Sequence, residues 1–341
     1  MKNLFKIISI VLVTTILACS KDETAPTVQT VKDIYICGSE YNGTNNVAKV
    51  WKNGSATALT DGTKNARTNA IIVVGNDVYV VGYEYNGIQN VAKVWKNGIA
   101  TALTDGTKFA SASAITVVGT NMYVAGSEYN GSNFVAKVWK DGTATALTDG
   151  TKNARANAIT VVGSDVYVAG YESNGTASVA KVWKNGVATA LTDGTKLAYA
   201  RAMTLMGNDI YVVGYEDNGT QYVAKVWKNG TATALTDGIK DAEANAITVV
   251  GNDVYIAGYE DNGTQYVAKV WKNGTATTLT DGTKSAEANA ITVVGTHVYV
   301  AGSENNGSKD VAKYWKNGVA TNIATEAAQD SEANGMFITR N

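Results

Sequence analysis

Val267-Ala268-Lys269-Val270-Trp271-Lys272-Asn273-Gly274 is one of seven near-identical copies spread along the chain. Their tryptophans are Trp51, Trp95, Trp139, Trp183, Trp227, Trp271 and Trp315, every Trp in the protein, each 44 residues after the one before. A fixed period of this length without insertions marks a repeat architecture, in which each unit stacks on its neighbours to bury its apolar faces. Outward from the motif, residues 246–250 (Ala-Ile-Thr-Val-Val) form a short apolar run, strand a, followed by a tight turn at Gly251-Asn252-Asp253. Residues 254–260 are strand b, and Asp261-Asn262-Gly263 supplies a turn whose residues tolerate positive φ. Residues 267–272 are strand c, Asn273-Gly274 turns again, and residues 276–280 are strand d. Four strands joined this way make an antiparallel meander. Apolar residues at both parities of a and b require both sheet faces to be covered, as in radially packed blades.

The chain is out of phase with its own repeats. It enters at a strand b, residues 33–40, and leaves after a lone strand a, residues 335–339. The C-terminal strand is therefore expected to complete the blade that the N-terminus begins, closing a circle and removing exposed sheet edges. In repeat length and strand count, residues 33–341 resemble seven-bladed β-propellers of the WD40 and kelch kind. The repeats themselves are similar to a class of bacterial lipoprotein propellers rich in Val-Trp-Lys-Asn-Gly. The resemblance implies an all-β, seven-bladed β-propeller of four-stranded antiparallel blades. The Gly-His and Trp-Asp pairs of WD40 repeats and the Gly-Gly doublet of kelch repeats are missing, so those families' partners do not carry over.

Ahead of the repeats, residues 1–6 carry Lys2 and Lys6, residues 7–17 are mostly apolar, and Leu17-Ala18-Cys19 closes the run. An apolar run of about 11 residues is too short to span a bilayer and reads as an export signal. Ile16-Leu17-Ala18-Cys19 resembles the lipobox of bacterial lipoproteins, which implies a signal peptide at 1–18 and acylation of Cys19. An ordinary cleaved export signal is the alternative. Residues 19–32 are polar and without periodicity up to Thr27, and read as a lipidated flexible tether. Ser20 after the cysteine is similar to lipoproteins of the bacterial outer membrane, and Lys21-Asp22-Glu23 looks like a short signal for display at the cell surface. Of 29 Lys and Arg, Lys2 and Lys6 fall in the leader, leaving 27 against 30 Asp and Glu. That balance is no footprint for nucleic acid, where clustered positive charge must displace counterions. With Cys19 acylated, Cys37 has no intramolecular partner; its repeat equivalents are Val or Ala, so it is expected to be a small buried hydrophobe.

Chemistry-bearing constellations are sparse. His297 is the only histidine and replaces a turn residue that is Asp77, Asn121, Asp165, Asp209 and Asp253 elsewhere. No nucleophile elbow, Cys/His ligand cluster or phosphate loop appears, so no catalytic residue, metal or cofactor is expected. Glutamates recur at Glu40, Glu84, Glu128, Glu172, Glu216, Glu260 and Glu304, with lysines at Lys49 and its equivalents placed to pair with them. The tryptophans are expected to pack between blades, with a solvent-facing sugar platform as the alternative; the indole N–H should find one partner.

Variation between repeats is confined to two segments. The b–c turn changes (Thr44-Asn45-Asn46, Ile88-Gln89-Asn90, Ser132-Asn133-Phe134, Thr220-Gln221-Tyr222), and so does the connection from d to the next a. An antiparallel meander puts both at the same end of the blade. One end of the disc is therefore expected to be variable and the other uniform, and function on a rigid scaffold sits on its variable segments. The candidate ligand-binding residues are Arg67, Tyr129, Phe134, Arg155, Tyr199, Arg201, Tyr222 and Tyr266. The expected protein is a monomeric, lipid-anchored, non-catalytic scaffold binding a protein or glycan. The alternatives are a hydrolase or lyase with Glu84-type carboxylates at the channel mouth, and a passive spacer.

Overall fold

The computed structural model describes residues 30–324 and 330–341. The signal peptide, Cys19 and the tether as far as residue 29 lie outside the described residues. The described residues form 28 strands, numbered in chain order, in seven four-stranded antiparallel sheets arranged as a ring. The all-β, seven-bladed propeller expected from the repeats is the observed fold.

Blade 1 closes the ring. From the axis outward it is β28 (Ser331–Arg340), β1 (Val31–Tyr41), β2 (Asn46–Lys52) and β3 (Ser55–Ala58). β28 and β1 pair antiparallel from Val31/Arg340 to Glu40/Ser331, so the C-terminal strand does complete the N-terminal blade. Side chains tie the joint to its neighbours: Thr68 Oγ1 donates to the Gly38 carbonyl at 2.8 Å, and Arg340 donates to the Val293 carbonyl at 3.0 Å. Blade 2 shows the pattern of the rest, with β4 (Ala66–Val74), β5 (Asp77–Tyr85), β6 (Asn90–Lys96) and β7 (Ile99–Ala102). The inner strands of blades 3 to 7 are β8 (Ala110–Val118), β12 (Ala154–Val162), β16 (Ala198–Met206), β20 (Ala242–Val250) and β24 (Ala286–Val294).

Each inner strand begins earlier than the apolar run predicts, at Ala242 rather than residue 246 in blade 6. The cause is a bulge: the β4/β5 register shifts between Thr68 and Ala70, and the same shift recurs in blades 3 to 7. A bulge resets the two-residue alternation, so the upstream half of the strand is out of register with the pattern that follows. The bulged residue turns sideways. Asn69, Asn157, Asn245, Asn289 and Asn334 each donate through Nδ2 to an inner-strand carbonyl of the next blade, at 2.7–3.2 Å. Ser113 and Arg201 take this position in the two remaining blades.

The tryptophans are wedges between blades. All seven are 0–1 % exposed, and Trp139 sits among Val81, Ala92 and Val94 of blade 2 as well as Ala112 and Val124 of its own. The expected N–H partner is missing: six of the seven indole nitrogens have none among the described residues. Magnitudes explain why this is tolerated. Burying roughly 200 Å² of indole contributes about 5 kcal/mol, against about 1–3 kcal/mol for an unpaired N–H.

The recurring glutamates are structural. Glu40–Lys49, Glu84–Lys93 and their equivalents form seven b–c ion pairs, one per blade. Glu84 and Lys93, on strands outside the inner ring, line a groove with Asp61 and Lys64 of the connection from β3 to β4. Glu84 and its equivalents thus stand on the second strand of each blade, one strand away from the channel, where the hydrolase or lyase alternative placed them at its mouth. His297 also fits the bland reading: its Nδ1 lies 2.8 Å from the Asn317 amide, where Asp33, Asp77, Asp165, Asp209 and Asp253 accept the same amide in other blades. Cys37 is fully buried, and burial pushes its thiol up to about 12.

Candidate binding face at one channel mouth

The two variable segments meet at one end of the disc. In the b–c turn, Asn86 Oδ1 accepts from the N–H groups of Ile88 and Gln89, and its Nδ2 donates to the Gly106 carbonyl of the d–a connection at 3.0 Å. The same asparagine stitches turn to connection in six blades, from Asn42 to Asn262. At the other end, the c–d turn Asn53-Gly54 has φ of 50° and 84°, the paired positive values of a tight hairpin, and every blade repeats it with only Asp141 replacing Asn.

The eight candidate residues lie on strand ends, not in loops. Arg67, Arg155, Tyr199 and Arg201 are in the upstream halves of β4, β12 and β16, ahead of or at the bulge. Tyr129 ends β9 (Asn121–Tyr129), and Phe134, Tyr222 and Tyr266 begin β10 (Phe134–Lys140), β18 (Tyr222–Lys228) and β22 (Tyr266–Lys272). This corrects the placement in turns and connections; for Arg67, Arg155, Tyr199 and Arg201 the reason is again the longer inner strand, and for the other four it is that the b–c hairpin pairs to Tyr129/Phe134 and its equivalents. The longer inner strand carries Arg67, Arg155, Tyr199 and Arg201 onto the rim of the central channel, with the b–c residues just outside them.

Most of them join into one arc over blades 3 to 6. Phe134 touches Phe109 and Tyr129 at centroid separations of 5.5 and 5.4 Å, and the Arg155 guanidinium sits 4.2 Å over its ring. Tyr199 packs between Tyr171 (4.6 Å) and Tyr215 (5.1 Å), and Tyr215 packs on Tyr222 (4.9 Å). Arg201 lies 5.2 Å over Tyr215 and reaches Glu243 at 2.9 Å, while Tyr266 packs on Tyr259 at 4.6 Å. Arg201 owes this reach to its position: it replaces the bulge asparagine, so its tie to the next blade is an ion pair with Glu243 and not an amide-to-carbonyl rung. Arg67 stands apart, paired with Glu332 and bonded to Asn334 at 3.3 Å.

Tyr171, Tyr215, Tyr259, Glu243, Glu287 and Glu332 belong to the mouth and were missed as candidates. The signal for the tyrosines was present. The residue before each recurring strand-b glutamate is Ser39, Tyr83, Ser127, Tyr171, Tyr215, Tyr259 or Ser303, a Ser/Tyr alternation inside an apparently uniform strand. In blades 7 and 1, where Ser303 and Ser39 replace tyrosine, a cavity of about 200 Å³ opens beside Glu287, Glu332, Asp310 and Arg67.

The mouth is electrically divided. Burial first, then the Glu243 carboxylate, push the Tyr259 phenol well above its ordinary range, and Tyr215 rises chiefly through burial. Burial opposes the charge of Arg201, but Glu243 and Tyr215 more than compensate and its pKa rises. Burial, then Glu243 and Glu332, raise the carboxyl of Glu287. The folded chain therefore holds the Glu287 proton more tightly than the unfolded chain, so ionisation at neutral pH lowers stability and protonation at acid pH removes that deficit. Glu287→Gln is expected to raise the melting temperature at neutral pH, with the gain closing as pH falls below the ordinary glutamate pKa. A gain that is the same at both pH values would contradict the assignment. Among the described residues no group of three His, Cys, Asp or Glu side chains is placed to hold a metal ion.

Fold and mouth together define a seven-bladed β-propeller with one differentiated end. No family model and no curated protein matches the chain. Among solved structures it is similar to the Pyrococcus horikoshii acylaminoacyl peptidase, with TM-score 0.55 and 11 % identity over 87 % of this chain. It is also similar to TolB from Acinetobacter baumannii, with TM-score 0.48 and 11 % identity over 71 % of this chain. The chain spans about half of the peptidase chain (51 %) and 61 % of the TolB chain. At this identity the first likeness speaks for the propeller fold alone.

Proposed function

We propose that the protein is a lipid-anchored, non-catalytic scaffold outside the cytoplasm, whose differentiated channel mouth binds a protein or a glycan. Cys19 is the proposed acylation site and the bacterial outer membrane the proposed location, on the strength of the Ile16-Leu17-Ala18-Cys19 lipobox resemblance and the polar segment after it. One observation carries the binding reading. Blades that are nearly identical elsewhere differ at inner-strand and b–c positions that the fold gathers around a single mouth. Aromatic rings flanked by arginines are the composition that dominates protein-recognition hot spots, and such rings also stack on sugars.

The test is an array of glycans and surface proteins probed with the full chain and with Arg155→Ala, Arg201→Ala, Tyr222→Ala and Tyr266→Ala. At least one ligand is expected to lose about thirtyfold in affinity on one of these changes, the scale of a hot-spot residue. A set of folded variants that leaves every captured ligand unaffected removes the reading.

A further inference from the structure

We propose that the uniform end of the propeller lies against the lipid surface, with the differentiated mouth turned away from it. The inference rests on the lipid anchoring proposed above and adds the side of the disc that meets the membrane.

Three observations support it. The first is where the chain joins the ring. β1 begins at Val31, paired with Arg340 near the end of β28, which is the end carrying the a–b and c–d turns. Cys19 precedes Thr30 by eleven residues, a reach of at most about 40 Å even fully extended. A short tether fixed at the uniform end holds that end nearest the acyl chains.

The second is the surface of that end. Val74, Val118, Val162, Met206 and Val250, the last residues of five successive inner strands, are 38–51 % exposed around the channel. In blade 7 the equivalent Val294 is covered, packed with Ile338 and Val31 where the chain comes in. Ile99, Val187 and Val319, which open outer strands just after c–d turns, are exposed further out. Between these two apolar circles stands one lysine per blade, from Lys52 and Lys96 to Lys316, each over a tyrosine ring at 5.1–5.6 Å. With Lys32 and Arg340 this end holds nine cations against six side-chain carboxylates (Asp33, Asp77, Asp141, Asp165, Asp209 and Asp253), although the chain as a whole is acidic. Apolar tips interleaved with long cationic side chains match the boundary between acyl chains and anionic headgroups.

The third is a cavity of about 910 Å³ at this mouth, beside the point where the chain joins the ring. Its lining is amphipathic, with Lys32, Lys52 and Arg340 set against Phe337, Met336 and Ile291. Phe337 replaces the small or aliphatic residue (Ile72, Thr116, Thr160, Thr204, Thr248, Thr292) of the other inner strands.

The experiment uses the full chain purified from membranes and reconstituted into vesicles of phosphatidylethanolamine and phosphatidylglycerol containing nitroxide-headgroup lipid. Two variants, each adding one exposed cysteine in the same blade, carry a fluorescent thiol probe: Thr143→Cys at the uniform end and Ser132→Cys at the differentiated end. Quenching at Thr143→Cys is expected to exceed that at Ser132→Cys by at least about fivefold, because only the former lies within the headgroup layer. Equal quenching, the reverse order, or no quenching at either site overturns the proposal. The contrast should shrink in K96Q/K184Q/K272Q with melting unchanged; an undiminished contrast overturns the part assigned to the lysines. The unsubstituted chain separates the two readings. Labelling of its native cysteine means that Cys19 is free, since Cys37 is buried, and that result overturns the anchoring itself.

Discussion

Deletion of residues 335–341 is expected to abolish the cooperative melt, not merely to lower its midpoint. Those residues supply most of the inner strand of blade 1, pairing with β1 from Cys37/Gly335 to Val31/Arg340. Their loss uncovers Ile36 and Cys37, now 0–1 % exposed, and removes Ile338 from its cluster with Val294 and Tyr299. It also deletes the Arg340 bond to the Val293 carbonyl and leaves β1 as a bare edge facing the channel. Withdrawing the buried Ile338 costs about 1.5–3 kcal/mol, and the half-buried Met336 and Phe337 add less each. Together they are a large fraction of the stability of a domain, about 5–15 kcal/mol. The blades on either side of the gap then lose the neighbour that makes them a ring. Calorimetry should show a broad, low-enthalpy transition, and small-angle scattering a larger, elongated particle. A sharp transition at the unaltered temperature would mean that the seven blades do not depend on closure.

Closure was legible because it is arithmetic: a chain that starts at strand b and ends at strand a has one place for its last strand. The c–d hairpins were equally legible, since Asn-Gly is the sequence for two successive positive φ values. What hid was anything decided by the bulge. Residues 246–250 read as strand a because the apolar run lies only there. The bulge, with Asn245 at its tip, cuts the strand's period in two and makes the upstream Ala-Glu-Ala stretch look like a connection. That single error put Arg67, Arg155 and Tyr199 in loops when they stand on the channel rim. Glu243, Glu287 and Glu332 occupy the same position as Arg67 and were left out of the candidate set because aromatic and arginine side chains were favoured there. The orphan indole nitrogens were invisible for a different reason. The rule that buried N–H groups find partners is a tendency, and a sevenfold wedge with a large apolar area overrides it.

Gly82→Ala is expected to be among the most damaging single substitutions in the protein. A Cβ at Gly82 would stand 1.9 Å from the Arg67 carbonyl oxygen and 2.8 Å from the Thr68 Cα, both backbone atoms of the facing inner strand. Neither can rotate away, so β4 must shift, and the bulge and the Asn69 rung to Ala112 shift with it. Overpacking that moves backbone in a closed ring is expected to cost at least about 3 kcal/mol. Gly98→Ala is the comparison: its φ is +83° but nothing lies within 4 Å of its would-be Cβ, so only conformational strain remains, about 1 kcal/mol. Urea denaturation of the two variants should separate them clearly, and similar losses would show that close strand approach is not what the strand-b glycines provide. The contact also reaches the binding face. A Cβ at Gly170 would stand 2.0 Å from the Arg155 carbonyl oxygen, as one at Gly82 would stand 1.9 Å from that of Arg67. The glycine that lets the inner strand come close thus sets where its variable side chain emerges. Gly170→Ala should displace the Arg155 guanidinium from the Phe134 ring and weaken ligand capture even where the variant still folds.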